Sequence, residues 1–135
     1  MELNGETLRF IREHCKDDVR SLALQAPKYP GVDMPVALTQ IAGRQAAAEK
    51  IPSWHEEEGV LYPRHLSLEQ CSSEATARYK ASIIPESSSG TLTDLTGGFG
   101  IDCAFLSPKF HHVTYVERQE VLCEIASHNF PLLGL

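Results

Sequence analysis

Several features that assign a protein to a class are missing from this chain of 135 residues. No apolar run approaches the roughly 18 residues needed to cross a membrane. The polar, acidic N-terminus MELNGETLRF has neither the basic start nor the apolar stretch of a secretory signal. Cytoplasm is therefore the expected location, with no membrane partner. The four cysteines, Cys15, Cys71, Cys103 and Cys123, form no CxxC pair. Without a secretory context they read as free thiols rather than a disulfide framework. No Cys or His pair has zinc-finger spacing, so no metal site is expected. Positive charge is also short: 12 Lys and Arg stand against 18 Asp and Glu, a net charge of -6. The basic footprint of a nucleic-acid binder is absent, so any nucleic acid would have to be gripped locally or by a part not present here. There is no nucleophile elbow, no carboxylate pair of defined geometry and no Asn-Pro or Asp-Pro dipeptide.

The 42% of apolar residues is ordinary for a globular protein and argues against wholesale disorder. The first half reads as short helices. Asn4 is a candidate N-cap, followed by Leu8, Ile11 and Cys15 at helical spacing. Asp17 or Asp18 opens a second helix that ends before Pro27, and Asp33 caps a third, with Pro35 in its first turn. Leu38, Ile41, Ala42 and Ala48 give that third helix its apolar stripe, and Pro52 stops it. Residues 53–66 carry no periodicity and read as a loop, with Trp54 as a packing anchor. Ser67 and Gln70 form a capping box, predicting a helix from Leu68 through EQCSSEATARYKAS. ESSSG, residues 86–90, reads as a hinge between two regions, 1–85 and 90–135.

Beyond it the pattern changes. TLTDL and HVTYVE read as strands, and IDCAFLSPKF and RQEVLCEIASHNF as helices, the latter with Val121, Leu122, Ile125 and Ala126 on its apolar face. That order, strand-helix-strand-helix, opens a parallel α/β sheet, in which ligands bind at the carboxyl ends of the strands. The first turn brings Gly97, Gly98 and Gly100 there within four positions. Glycine so dense implies unusual torsions or close approach of another group. Asp94 ends the first strand and Glu117 the second, where a carboxylate can accept hydrogen bonds from a ribose diol. No Lys-Ser/Thr follows the glycines, which excludes a P-loop. A nicotinamide or flavin dinucleotide would suit Gly98-x-Gly100 and Glu117, but Asp94 would set negative charge near a pyrophosphate. S-adenosylmethionine fits better, since its ammonium welcomes a carboxylate. The plainest alternative is a tight turn with two surface carboxylates.

DLTGGFGID followed by VTYVER resembles the first two motifs of class I methyltransferases, and is most similar to bacterial RNA guanine-N2 methyltransferases. In them the turn reads D-x-T-x-G-x-G-x-D with a later Glu-Arg pair. Asp94, Thr96, Gly98, Gly100 and Asp102 match that turn, and Glu117 and Arg118 match the pair. EQCSSEATARYKA looks like the segment lining the methionine side of the pocket in bacterial methyltransferases that have a helical N-terminal region and a THUMP-like C-terminal one. The resemblance covers residues 60–135. It implies a helical region followed by the opening β-α-β-α unit of a Rossmann-like class I methyltransferase sheet, incomplete here. It implies S-adenosylmethionine as cofactor, RNA as substrate of the whole enzyme, and a cofactor-binding set of Asp94, Thr96, Gly97, Gly98, Phe99, Gly100, Glu117 and Arg118. Asp102 suits the first turn of a helix through the helix dipole, and Thr76 and Tyr79 share one face of the upstream helix. The acceptor motif of the family, N/D-P-P/A, has no match, so the chain is expected to transfer no methyl group alone and to self-associate through the open edge of its first strand. A helical interaction module carrying a vestigial nucleotide-binding turn is the other reading.

Overall fold

The computed structural model describes residues 2–86 and 90–135. The expected hinge falls largely on residues 87–89, outside the described residues. Among the described residues six α-helices come first: α1 (Gly5–Glu13), α2 (Val19–Leu24), α3 (Met34–Lys50), α4 (Pro52–Glu56), α5 (His65–Gln70) and α6 (Glu74–Ser82). Strand β1 (Thr91–Asp94), α7 (Ile101–Leu106), β2 (His112–Tyr115) and α8 (Glu120–Leu132) follow. The two strands pair in parallel, with Thr91 opposite His112 and Asp94 opposite Tyr115.

Local chemistry starts the helices where the caps stand. The Asn4 side chain accepts from the Thr7 N–H at 2.8 Å, Asp18 accepts from Ser21 N–H at 3.0 Å, and Asp33 accepts from Val36 N–H at 3.4 Å. Each satisfies one of the orphan donors of a first turn. Which face each helix buries is a different matter. In α1 the buried residues are Thr7 and Phe10, whereas Leu8 is exposed. The Thr7 hydroxyl tolerates burial because it accepts from the Asp33 N–H at 3.0 Å, and the Phe10 ring packs edge-on against Tyr29. In α3, Ala47 is buried and Ala48 exposed, with Gln40 taking a core position.

Two further expectations are corrected. Residues 53–66 are not all loop: Pro52 begins α4, which buries Trp54. The helix expected from Leu68 onward is two helices broken at 71–73. Ser67 lies inside α5, and Ser73 is the cap that matters, accepting from Thr76 N–H at 3.1 Å. Lys50 secures the end of α5, donating to the carbonyls of Leu68 (2.6 Å) and Glu69 (2.8 Å), the favourable place for a cation at a helix C-terminus.

One apolar cluster joins Phe10, Leu22, Met34, Ala37 and Ile41. The other runs from Ala47, Ile51, Trp54, Tyr62, Leu68 and Ala77 to Phe99, Ile101, Ala104 and Ile125, so a single core crosses from the helical segments into the β-α-β-α unit. Residues 60–63, which lie in neither a helix nor a strand and carry Val60 and Tyr62 of the second cluster, are held by side-chain amides. Gln40 accepts from the Tyr62 N–H (2.8 Å) and donates to its carbonyl (2.9 Å). Asn129, from α8, does the same to Leu61 at 2.9 and 2.8 Å. Backbone groups that no strand partner meets are thereby paired. No helix among the described residues is long and apolar enough to cross a membrane.

Candidate functional site

Parallel pairing puts the carboxyl ends of β1 and β2 on one side, and a cleft of about 480 Å³ opens there. Its floor is the turn after β1, and a wall comes from Cys71 and Ser72 of the α5–α6 junction and Lys80 of α6. The ladder continues past the strands: Val116 N–H donates to the Asp94 carbonyl at 2.9 Å, and Gly97 N–H to the Val116 carbonyl at 2.8 Å. The turn therefore starts tied to the second strand.

Its glycines answer first to the chain's own aromatic rings. A Cβ on Gly97 would collide with the Tyr115 ring. Gly100 has φ +91°, and a Cβ there would lie 2.7 Å from the Phe130 ring. Gly98, at φ +55°, differs, because nothing but the Thr96 carbonyl at 3.7 Å lies near its Cβ position. It is pinned through its backbone. Its N–H donates to Glu117 Oε2 at 2.9 Å, and its carbonyl accepts from the Tyr115 hydroxyl at 2.5 Å. Burial pushes the Tyr115 phenol well above its ordinary range, so it stays a donor.

Glu117 is also held within its own loop, since its Oε1 accepts from Gln119 N–H at 2.9 Å. The bond from Gln119 N–H, joined by that from Gly98, holds its carboxyl below the usual range. Asp94 Oδ1 accepts from Thr96 N–H at 3.1 Å, and its Oδ2 receives the Cys103 thiol at 3.6 Å. Burial, and then the charge of Asp94, pushes Cys103 up to about 12. A thiol so held is no nucleophile at neutral pH. Asp102 does more than complement a helix end. Its Oδ2 accepts from Lys80 Nζ at 3.0 Å and from Ser72 Oγ at 3.2 Å, while Oδ1 is buried without a hydrogen-bond partner among the described residues. Lys80 also donates to Ser72 Oγ at 3.0 Å.

Of the residues expected at the site, Asp94, Thr96, Gly97, Gly98, Phe99, Gly100 and Glu117 all line the cleft. Phe99 does so by its backbone alone. Its side chain is 1% exposed and turns into the core, against Trp54 (ring centroids 5.1 Å apart) and Tyr62 (5.9 Å). Arg118 is exposed and does not line the cleft, nor do Thr76 and Tyr79. Lys80 and Ser72 also line the cleft; neither was singled out by number, but both lie in the segment EQCSSEATARYKA that the resemblance put beside the pocket. The Ser72-Ser73-Glu74 run, a second cap signal inside an otherwise helical stretch, was the sequence feature that could have located the junction.

The charges of the lining are lopsided: three carboxylates, Asp94, Asp102 and Glu117, face one ammonium, Lys80. The chain matches no protein-family model and no curated protein. It is similar to a crystal structure from Porphyromonas gingivalis W83, that of a "putative methyltransferase", with a TM-score of 0.74 and 31% sequence identity. The two share a fold over 93% of this chain. That stretch is 31% of the other protein's chain, so the present chain spans about a third of its length. The cleft with its glycine turn thus belongs to a fold shared with a protein described as a methyltransferase.

Proposed function

We propose that this chain is part of an S-adenosylmethionine-dependent methyltransferase and that the cleft over β1 and β2 is its cofactor site. The charge of the lining carries the reading. Three carboxylates against one ammonium make a local field that attracts cationic groups and repels a pyrophosphate. A sulfonium and an ammonium suit such a cleft; a dinucleotide does not.

The residues fit the cofactor in other respects. Open space at the Gly98 Cβ position leaves the backbone approachable. Glu117 spends one lone pair per oxygen on Gly98 and Gln119 and keeps the others for a ribose diol. When bound, the cofactor supplies an electrophilic methyl group on sulfur. Glu117 orients the sugar, Asp94 provides negative charge beside the turn, and Tyr115 holds the turn in shape. RNA, at guanine N2 or a similar atom, is the proposed acceptor of the whole enzyme. The 135-residue chain is proposed to transfer no methyl group by itself, because no N/D-P-P/A motif occurs in its sequence.

Calorimetry with S-adenosylmethionine and with NAD, on the wild-type chain and on Glu117→Gln, tests the reading. The substitution should weaken S-adenosylmethionine binding by about 1.5–3 kcal/mol, the worth of a charge-assisted hydrogen bond. Undiminished affinity would remove Glu117 from the site, and tighter binding of NAD would restore the dinucleotide reading. Gln is preferred to Ala because it retains an acceptor for the turn that Glu117 also supports.

A further inference from the structure

We propose that a second pocket, lined by α1, α3 and residues 58–62, binds an anionic amphiphile, a carboxylate on an aliphatic chain, with Arg12 and Arg44 receiving the head group. This pocket shares no lining residue with the cleft over β1 and β2. The proposal goes beyond the cofactor reading and does not depend on it.

The pocket measures about 590 Å³, the size of a small-molecule site. One wall is the apolar stripe that the spacing in α1 pointed to. The core takes Thr7 and Phe10 from this helix, and Leu8, Ile11 and Cys15 line the pocket instead. Leu8 is left 44% exposed. Val60 and Leu61 supply apolar surface from a second wall. Both walls are fixed without a ligand. Gln45 Nε2 of α3 donates to the carbonyls of Cys15 (3.1 Å) and Asp17 (2.8 Å), and the amides of Asn129 and Gln40 hold Leu61 and Tyr62. Walls so held have little freedom to lose on binding.

The charges are the reverse of those in the cleft. Arg12 and Arg44 stand against one carboxylate in the lining, Glu58, and neither guanidinium makes a hydrogen bond or ion pair among the described residues. Arg12 lies in the last turn of α1, and the Gln45 contact brings residues 44–45 of α3 beside that same end. Leu3 and Leu8 lie toward the start of the helix. The pocket thus has a cationic end and an aliphatic end, and this polarity selects the ligand. A small anion leaves the aliphatic end empty, and a hydrocarbon leaves the guanidiniums unmatched. A nucleobase needs an open aromatic face to stack on, and Tyr62 is only 2% exposed. An aliphatic carboxylate meets both ends, its two oxygens suited to a guanidinium fork.

Octanoate is the probe, titrated into the 135-residue chain and followed by backbone amide NMR so that weak binding is measurable. Shifts should centre on Leu8, Ile11 and Leu61 and spare Gly98. Octanoate should bind about tenfold more tightly than octanol, as expected for a charge-assisted hydrogen bond. It should also bind about tenfold more tightly than hexanoate, since a buried methylene is worth up to about fourfold. Arg44→Gln should weaken octanoate by about tenfold and leave octanol unchanged. Arg12→Gln, at a more exposed position, should do the same to a smaller extent, and serves if Arg44→Gln folds poorly. Leu8→Ser should weaken both ligands. Equal affinity for octanoate and octanol would reduce the pocket to an unselective apolar surface and overturn the proposal, as would no binding of octanoate at all. Tighter binding of uridine monophosphate at the same amides would overturn it too, by assigning the arginines to a nucleotide. None of these results bears on the cofactor reading, whose own test reads at Glu117.

Discussion

Asn129→Ala is the substitution whose cost follows most directly from the geometry. Asn129 is fully buried, and its amide meets both polar groups of one residue: Leu61 N–H at 2.9 Å and Leu61 C=O at 2.8 Å. Truncation leaves that donor and acceptor unmatched inside the protein. Each unsatisfied buried group costs about 1–3 kcal/mol. Leu61 is half-buried, so water reaches part of the vacated space and the low end of that range applies to each. The sum is about 2–4 kcal/mol, a large share of the roughly 5–15 kcal/mol of a small domain. Urea unfolding followed by circular dichroism measures it. With an m-value of about 2 kcal/mol/M in urea, the midpoint should fall by about 1–2 M at unchanged m. Asn129→Asp should cost more than Ala at neutral pH, since it sets a buried charge against the Leu61 carbonyl. The loss should also reach the cleft, because the neighbouring Tyr62 packs on Phe99 of the glycine turn. Amide exchange at Gly98 should rise in Asn129→Ala. A variant within about 0.5 kcal/mol of wild type, the scatter of ordinary surface substitutions, would show that the amide clamp does not hold this segment.

Gly100→Ala should destabilise by about 2–4 kcal/mol, combining a left-handed backbone with overpacking against Phe130. Gly134→Ala, at φ +80° but in open space, should cost only the backbone part, and equal shifts in Tm would show that the Phe130 ring yields freely. The depressed carboxyl of Glu117 contributes stability that is present above its unfolded pKa and lost as pH falls through the lower folded value. The stability difference between wild type and Glu117→Gln should therefore hold steady at neutral pH and shrink below about pH 4.3; a difference independent of pH down to acid unfolding would contradict it. Among the described residues β1 pairs on one edge only, and Leu95 just beyond it is 75% exposed. Open edges of this kind invite strand pairing, so light scattering at micromolar concentration should report self-association, and a strictly monomeric chain would refute it.

What the sequence determined by itself is what acts within a few residues. Asn4, Asp18 and Asp33 cap helices because each side chain reaches an N–H three positions on, and Pro52 ends α3 because its ring forbids continuation. The alternation of strand and helix after residue 90 followed from composition and turn residues, and with it the cleft between Asp94 and Glu117. Only the tertiary structure decided which side of each element would be inside. Hydrophobicity favoured Leu8 over Thr7, yet Thr7 is buried because Asp33, far along the chain, supplies the donor its hydroxyl needs. Phe99 lies in a turn that looks built for a ligand, but Trp54 and Tyr62 offer its ring a core. Asp102 had a sufficient local reason in its helix, whereas its partner Lys80 lies 22 positions away. Asn129 and Leu61 are separated by 68 positions. Such contacts depend on how the elements dock, and no periodicity along the chain encodes them. They exist because buried polar groups must be paired, and folding brings the partner from wherever the chain carries it.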